Sequence, residues 1–444
     1  MQASTDKPDV IVIGGGLAGL AAATFVARQG RGVRLIEQSH VLGGRARTKE
    51  VNGFHLNIGA HALYRGGRGI EVLRDLGVEP KGAMPSPSSG FAVRGGKRYT
   101  FPAGVVSLLT TGLFGLAAKL EAARLLGSIP RLDGAALMGR SLSAWLEAKI
   151  SQREVKDLLL ALFRVATYTN APDLMSAGAA IEQLKKALTK NVLYLDGGWQ
   201  SLVDGVADAA RAAGVVMETS AKPDLVERDP RGAVRAVRME DGRRFETSSV
   251  IIAASPAVAA ALVDGAQTTV LAKWAEQAIP IKLATLDVAL DRLPDPKAKF
   301  ALGLDQPLYF SVHSAAARLA PEGKALIHLG KYLRLGEADA DKAERQLEAL
   351  FDLMQPGWQS VVVYRRFVPD LVVMNGMPAV GWEGAVRRPG PAVPDVDGLF
   401  VAGDWVGPEG MLVDASLASA RLAAELIGRR HASAPGPVQL AAAV

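Results

Sequence analysis

A continuous apolar run, Val10-Ile-Val-Ile13, that ends in three glycines constrains this chain more than any other feature of its sequence. Four β-branched residues with no alternating polar partner describe a strand buried on both faces of a parallel sheet. The glycines open Gly14-Gly-Gly16-Leu-Ala-Gly19, and an Ala- and Leu-rich helical stretch runs from Leu17 to Arg28 before Gly30 closes it. A second strand follows from Gly32 to Glu37, which completes a βαβ unit. The glycine spacing, with an acidic residue about 20 positions on, is the dinucleotide-binding fingerprint. Gly14 allows the tight turn, Gly16 lets the backbone approach a pyrophosphate, and Gly19 lets helix and strand touch. Leu17 and Ala18 start the helix, and their N–H groups face the phosphate charge. Glu37 accepts the ribose hydroxyls, and the following Gln38, in place of an Arg, argues against a 2′-phosphate.

This fingerprint serves nicotinamide and flavin dinucleotides alike, so other segments decide between them. In Gly43-Gly-Arg45-Ala-Arg47, Gly44 lets the backbone bend towards a pyrophosphate and Arg45 offers a guanidinium to pair with it. Near the other end, Gly398-Leu-Phe-Val-Ala-Gly403-Asp404 reads as a strand ending in Gly-Asp, followed by Gly410 and a helix starting near Leu412. With these residues in place the chain resembles the flavin-containing group that includes phytoene desaturases, protoporphyrinogen oxidases and monoamine oxidases. The resemblance implies that Arg45 meets the FAD pyrophosphate and that Gly403 and Asp404 meet the ribityl or pyrophosphate oxygens. Asn57-Ile-Gly59-Ala60-His61 resembles the group's loop over the flavin ring, with Gly59 and Ala60 against it, although the group usually opens this loop with Asp. The N–H groups of Leu412 and Val413, at a helix N-terminus, suit the negative charge that a flavin ring gains on reduction.

By the same resemblance, amine oxidases hold their substrate between two aromatic rings, and Leu412 stands where one Tyr of that pair is expected. Ile279-Pro-Ile-Lys282-Leu is similar to the stretch whose lysine holds a water near flavin N5 in amine oxidases. Lys282 is therefore the candidate catalytic side chain, and a solvated lysine at a strand start is the alternative. The runs Asp287-Val-Ala-Leu-Asp291 and Trp405-Val-Gly-Pro-Glu-Gly410 resemble the phytoene desaturase branch most. Tyr168, Tyr309, Phe310 and Trp405 are expected to line a cavity, with His61 and His313 in pocket segments.

The composition narrows the chemistry. The chain has no cysteine, which excludes disulfides, thiolate metal sites and a cysteinyl flavin, so FAD is expected to be held without a covalent bond. No histidine pair has metal-ligand spacing, and no metal is expected. The net charge of +6 comes from 51 basic and 45 acidic residues spread along the sequence, so nucleic acid is not an expected partner. No apolar leader precedes Val10, which makes the cytoplasm the expected location. The apolar stretch Val105 to Ala118 is too short to span a bilayer. It reads as a buried helix lining a substrate cavity or, given Lys119, Arg124 and Arg131 beside it, as an interfacial helix in peripheral contact with a membrane.

The expected fold is therefore α/β, a Rossmann-type FAD-binding domain of the glutathione-reductase and amine-oxidase kind with a mixed α+β substrate domain. Residues 1–75, 196–275 and 381–444 are assigned to the FAD-binding domain, residues 76–195 to a helical part of the substrate domain and residues 276–380 to its sheet. The expected function is an FAD-dependent dehydrogenase, desaturase or oxidase that takes hydride from a hydrophobic small molecule onto flavin N5 and passes electrons to oxygen or a quinone. A protoporphyrinogen or amine oxidase is the alternative within enzymes, and an FAD-free lipid-binding escort protein is the alternative of another class. Intact phosphate-binding residues argue against the last.

Overall fold

Val10–Ile13 is the middle strand of a five-stranded parallel sheet in a computed structural model that describes residues 8–86, 90–380 and 388–433. The strand order is 216–218, 33–36, 10–13, 250–252 and 399–401. All four pairings are parallel, as expected for strands whose side chains are buried on both faces. Three distant stretches of chain therefore build one nucleotide-binding half. The helix Leu17–Ala27 is apolar nearly all round, and it is buried beneath the helices Gln200–Ala212 and Leu412–Ser433.

The second half is a seven-stranded sheet ordered 362–374, 281–290, 325–332, 308–312, 300–303, 90–94 and 97–100. Its neighbours are antiparallel except for the pair Phe300–Gly303 and Gly90–Arg94. The amphipathic helix Ala340–Met354 buries Leu347, Leu350 and Phe351 against Leu286, Val288 and Phe310 on one face. Helices between residues 105 and 190 bury Trp145, Leu158, Phe163 and Ile181 with Leu283, Tyr309 and Tyr332 on the other.

Two expectations change here. The strands Gly90–Arg94 and Lys97–Thr100 fall in the stretch read as helical, yet they extend the large sheet. They are short and carry three basic residues, Arg94, Lys97 and Arg98, which masks any strand alternation. The stretch Val105 to Ala118 is not one buried helix. It splits into Val105–Thr110 and Leu116–Ser128 around Gly112 and Gly115, and Val105, Val106, Leu109, Leu116 and Leu120 are 61–75% exposed. Only Leu108, Ala118 and Ala122 of these two helices are buried, so the apolar run has more hydrophobic surface than the core can cover.

Candidate active site

The two halves enclose a cavity of about 690 Å³ that runs from the first helix to the last. At its nucleotide end, Gly14, Gly16, Leu17 and Ala18 form the wall. A Cβ on Gly14 would come within 2.6 Å of the Ala253 carbonyl oxygen, and one on Gly19 would overlap the carbonyl of Gly14. Gly19 is thus required by the close strand–helix contact, and Gly14 by the approach of Ala253 at the end of the neighbouring strand. Gly16 differs, because a Cβ there meets nothing nearer than the Gly43 carbonyl at 3.9 Å and would project into open space. No side chain caps the helix at Gly16, which leaves its first N–H groups for an anion.

Glu37 sits on the same wall. Its Oε2 accepts the Gly15 N–H at 2.7 Å and its Oε1 the Ser39 N–H at 2.7 Å, which fixes the carboxylate and leaves lone pairs for hydroxyl groups. The glycine pair Gly43-Gly44 lies against the first turn, with the Gly43 N–H donating to the Gly15 carbonyl at 2.8 Å. Arg45 donates to Asp404 Oδ2 at 2.6 Å and to the Val373 carbonyl at 2.9 Å. The fingerprint, the Gly-Gly-Arg loop and the C-terminal Gly-Asp therefore converge on one cavity.

At the other end the wall is Ala60, His61, Tyr168, Leu283, Leu371 and Leu412. Burial lowers the His61 pKa from 6.5 to about 4, so its imidazole is neutral at physiological pH. Its Nδ1 lies 3.1 Å from the Gly59 carbonyl. Tyr168 donates its hydroxyl to the Ala60 carbonyl at 3.0 Å, and burial pushes that hydroxyl's pKa upward. Tyr168 and Leu412 both hold left-handed backbone conformations, at φ 60° and 56°, which bulky residues rarely adopt. Such strain concentrates at functional sites. Leu412, Val413 and Ser416 present the start of the last helix to the cavity. The carboxylate of Asp414 in that first turn is taken up instead by the Gly69 N–H at 2.9 Å and Lys186 at 3.0 Å.

The residues present fit a flavin dinucleotide. The uncapped helix and Arg45 suit a pyrophosphate, Glu37 suits a ribose, and the last helix suits the pyrimidine end of a reduced ring. Trp199, which also lines the cavity, has a buried indole Nε1 with no hydrogen-bond partner. A buried donor without a protein acceptor on a cavity wall is placed where a bound group can complete it.

Other expected residues lie elsewhere. Lys282 Nζ pairs with Asp370 at 2.8 Å on the surface, 38% exposed, and the neighbouring Leu283 faces the cavity in its place. Phe310 and Trp405 belong to the apolar core, and Trp405 Nε1 donates to the Ala254 carbonyl at 2.8 Å. Tyr309 donates to or accepts from His313 Nε2 at 3.0 Å, away from the cavity wall. Among the described residues no group of three or more acidic or histidine side chains is placed to hold a metal.

The geometry adds residues with no sequence signal. Asn375 binds Asp404 through its Nδ2 at 3.0 Å and its backbone N–H at 3.2 Å. Arg388 donates to the carbonyls of Asp404, Glu409 and Gly410 at 2.8–3.1 Å and braces the turn that leads into the last helix. Burial lowers its pKa to about 10.

Residues 17–428 match the family described as flavin containing amine oxidoreductase. The 15-cis-phytoene desaturase of Arabidopsis thaliana is 25% identical over 277 residues, which is 55% of this chain and 47% of that protein. The chain thus spans about half the length of the curated phytoene desaturases it matches. Among solved structures, an oxidoreductase from Methanosarcina mazei superposes with a TM-score of 0.74 at 18% identity, covering 95% of this chain and 99% of that one. The cyclohexylamine oxidase of Brevibacterium oxydans superposes with a TM-score of 0.68 at 17% identity, covering 96% and 100%. FAD is the cofactor that the fold and the cradle share. The chain belongs to the flavin-containing amine oxidoreductases, a family of FAD-dependent oxidoreductases.

Proposed function

We propose that this chain is an FAD-dependent dehydrogenase, desaturase or oxidase of an apolar small molecule, similar in substrate class to the phytoene desaturases. One observation carries the reading: the ring end of the cavity is walled by Ala60, Tyr168, Leu283, Leu371 and Leu412, and its imidazole, His61, is held neutral. An apolar chain loses nothing on entering such a wall, whereas a charged substrate finds no counter-charge there. Bound FAD supplies a two-electron acceptor at N5 of its ring. That acceptor would take a hydride from a C–H bond of the substrate, the proton lost from the adjacent carbon would pass to solvent at the cavity mouth, and oxygen or a quinone would finally take the electrons. The first N–H groups of the last helix are placed to stabilise negative charge at the pyrimidine end of the ring. The protein's part is to orient substrate and cofactor in a dry cavity.

The test is anaerobic mixing of the FAD-loaded protein with polyenes, porphyrinogens and amines while flavin absorption is followed. Bleaching by polyenes is expected. Bleaching by porphyrinogens or amines alone moves the assignment to a protoporphyrinogen or amine oxidase. A colourless protein that binds no FAD moves it to a lipid-binding escort.

Peripheral contact with a membrane is part of the same reading. The exposed Val105, Val106, Leu109, Leu116 and Leu120 share two adjacent helices with Lys119 and Arg124, an apolar patch with basic neighbours that suits an anionic lipid surface. No helix among the described residues is long and apolar enough to cross a membrane. Sedimentation with vesicles containing phosphatidylglycerol is expected for the wild type, and its persistence in Leu109→Glu/Leu120→Glu would rule this surface out.

A further inference from the structure

Asp287 is completely buried in the middle of the strand Ile281–Leu290. His328 and Arg366 stand directly opposite it on the two flanking strands, so the three side chains leave the sheet on one face. Asp287 Oδ1 lies 2.6 Å from His328 Nδ1 and accepts the Thr285 hydroxyl at 3.2 Å. Its Oδ2 accepts from Arg366 Nη2 at 2.6 Å and Nε at 3.1 Å, a two-pronged contact. Burial opposes ionisation, but His328 and Arg366 outweigh it and hold the carboxyl below the usual carboxylate range.

This cluster is tied to the loop at the ring end of the cavity. Asp287 Oδ2 also accepts the Gly59 N–H at 3.3 Å, and Arg366 Nη2 donates to the Asn57 carbonyl. Asn57 Oδ1 in turn accepts the Thr48 hydroxyl at 2.7 Å and the Trp199 backbone N–H at 3.0 Å. On its other side the loop offers Ile58, Ala60 and His61 to the cavity. A buried ion pair is a weak source of stability, because desolvation of the two charges cancels most of their attraction. Leu286 and Val288 beside it show that this sheet packs well with apolar residues. Holding the loop gives the pair a function that packing alone does not.

We propose that Asp287 is a positioning residue: through Gly59 and Arg366 it fixes the loop Asn57–His61 that forms one wall around the flavin ring. The inference rests on the reading of this cavity as the FAD site. Removing both charges together avoids an unpaired buried ion and releases the loop, at the cost of the His328 contact.

The experiment uses the full chain as wild type, Asp287→Asn and the double variant Asp287→Leu/Arg366→Met. Three readouts are taken: the FAD dissociation constant, the visible circular dichroism of bound flavin, and thermal unfolding of the flavin-free protein. Asp287→Asn keeps an acceptor for Gly59 and Arg366, and its dissociation constant is expected within about threefold of wild type. The double variant removes both charges but leaves His328 Nδ1 without its acceptor, so it is expected to unfold somewhat below the wild-type temperature while remaining folded, to bind FAD at least tenfold more weakly, and to show an altered flavin spectrum. Wild-type affinity and spectrum in the double variant would overturn the proposal. If that variant does not fold, Arg366→Lys, which keeps a cation beside Asp287 but loses the guanidinium that reaches the Asn57 carbonyl, must show the same loss and spectral change. Failure of the wild type to hold FAD would instead overturn the cofactor site, and the two failures are distinguishable.

Discussion

Arg45 Nη1 lies 2.6 Å from Asp404 Oδ2, a pair that joins positions 359 residues apart. Asp404 is 2% exposed at its side chain and Arg45 is 42% exposed, so the acid depends on the base more than the reverse. Arg45→Ala is expected to cost about 1–2 kcal/mol of stability, discounted for the solvent that reaches the guanidinium, and to weaken FAD binding about tenfold. Asp404→Ala also frees Asn375 and is expected to weaken FAD more. Equilibrium dialysis with FAD measures both, and full occupancy in both variants contradicts the assignment.

Glu37→Ala removes the acceptor for two backbone N–H groups as well as the proposed ribose contact. Retention of FAD is expected to fall by one to two orders of magnitude, from about 1.5–3 kcal/mol per lost charged hydrogen-bonding group. Glu37→Gln is the milder control, since its amide oxygen replaces one of the two acceptors. Equal affinities of the two variants would place the ribose elsewhere.

Two glycines three positions apart should behave oppositely. Gly19→Ala forces a methyl group into the Gly14 carbonyl and is expected to destabilise the protein by about 3 kcal/mol or more. Gly16→Ala adds a methyl group only to the cavity, costs less than about 1 kcal/mol, and blocks the pyrophosphate. Melting temperature of the flavin-free protein and FAD affinity separate them. Normal FAD binding by Gly16→Ala would contradict the cradle.

Lys282→Ala breaks a surface pair with Asp370, and stability is expected to change by about 0.5 kcal/mol or less. Flavin reduction by substrate and reoxidation by oxygen should proceed at wild-type rates. A tenfold loss in either rate would return Lys282 to the ring.

His61 has its pKa lowered by burial from 6.5 to about 4, so between these values the unfolded chain binds the proton that the folded chain refuses. Stability of the flavin-free protein is therefore full above pH 6.5 and falls on acidification towards pH 4, by at most about 3 kcal/mol for this partly buried residue and by less where water reaches the cavity wall. His61→Gln should flatten that limb of a denaturant titration. An unchanged limb would mean that His61 is hydrated.

The nucleotide half was legible because its signals are local. Gly14 to Gly19, Glu37 and Gly403-Asp404 each do their work within a few residues of a strand end, where spacing reports geometry. The loop at Gly59 was legible only as a resemblance. What holds it was not, because Asp287, His328 and Arg366 meet through strand register, and register is a property of the folded sheet. Phe310 and Trp405 were expected at the cavity since aromatic residues suit both pocket and core, and pattern alone does not distinguish them. The run from Val105 to Ala118, which reads as either a buried or an interfacial helix, divides between the two: Leu108, Leu113, Phe114 and Ala118 are buried, while Val105, Val106, Leu109 and Leu116 face outward.

The order of the parallel sheet has a consequence for biosynthesis. Strand 250–252 pairs with 10–13 on one side and with 399–401 on the other, so a growing chain that has reached residue 260 carries an unpaired apolar sheet edge. Some 140 further residues must leave the ribosome before that edge is covered, and during this interval it is exposed to other nascent chains. Yield of the intact protein should therefore depend on chaperone supply at the ribosome more than on the stability of the finished fold.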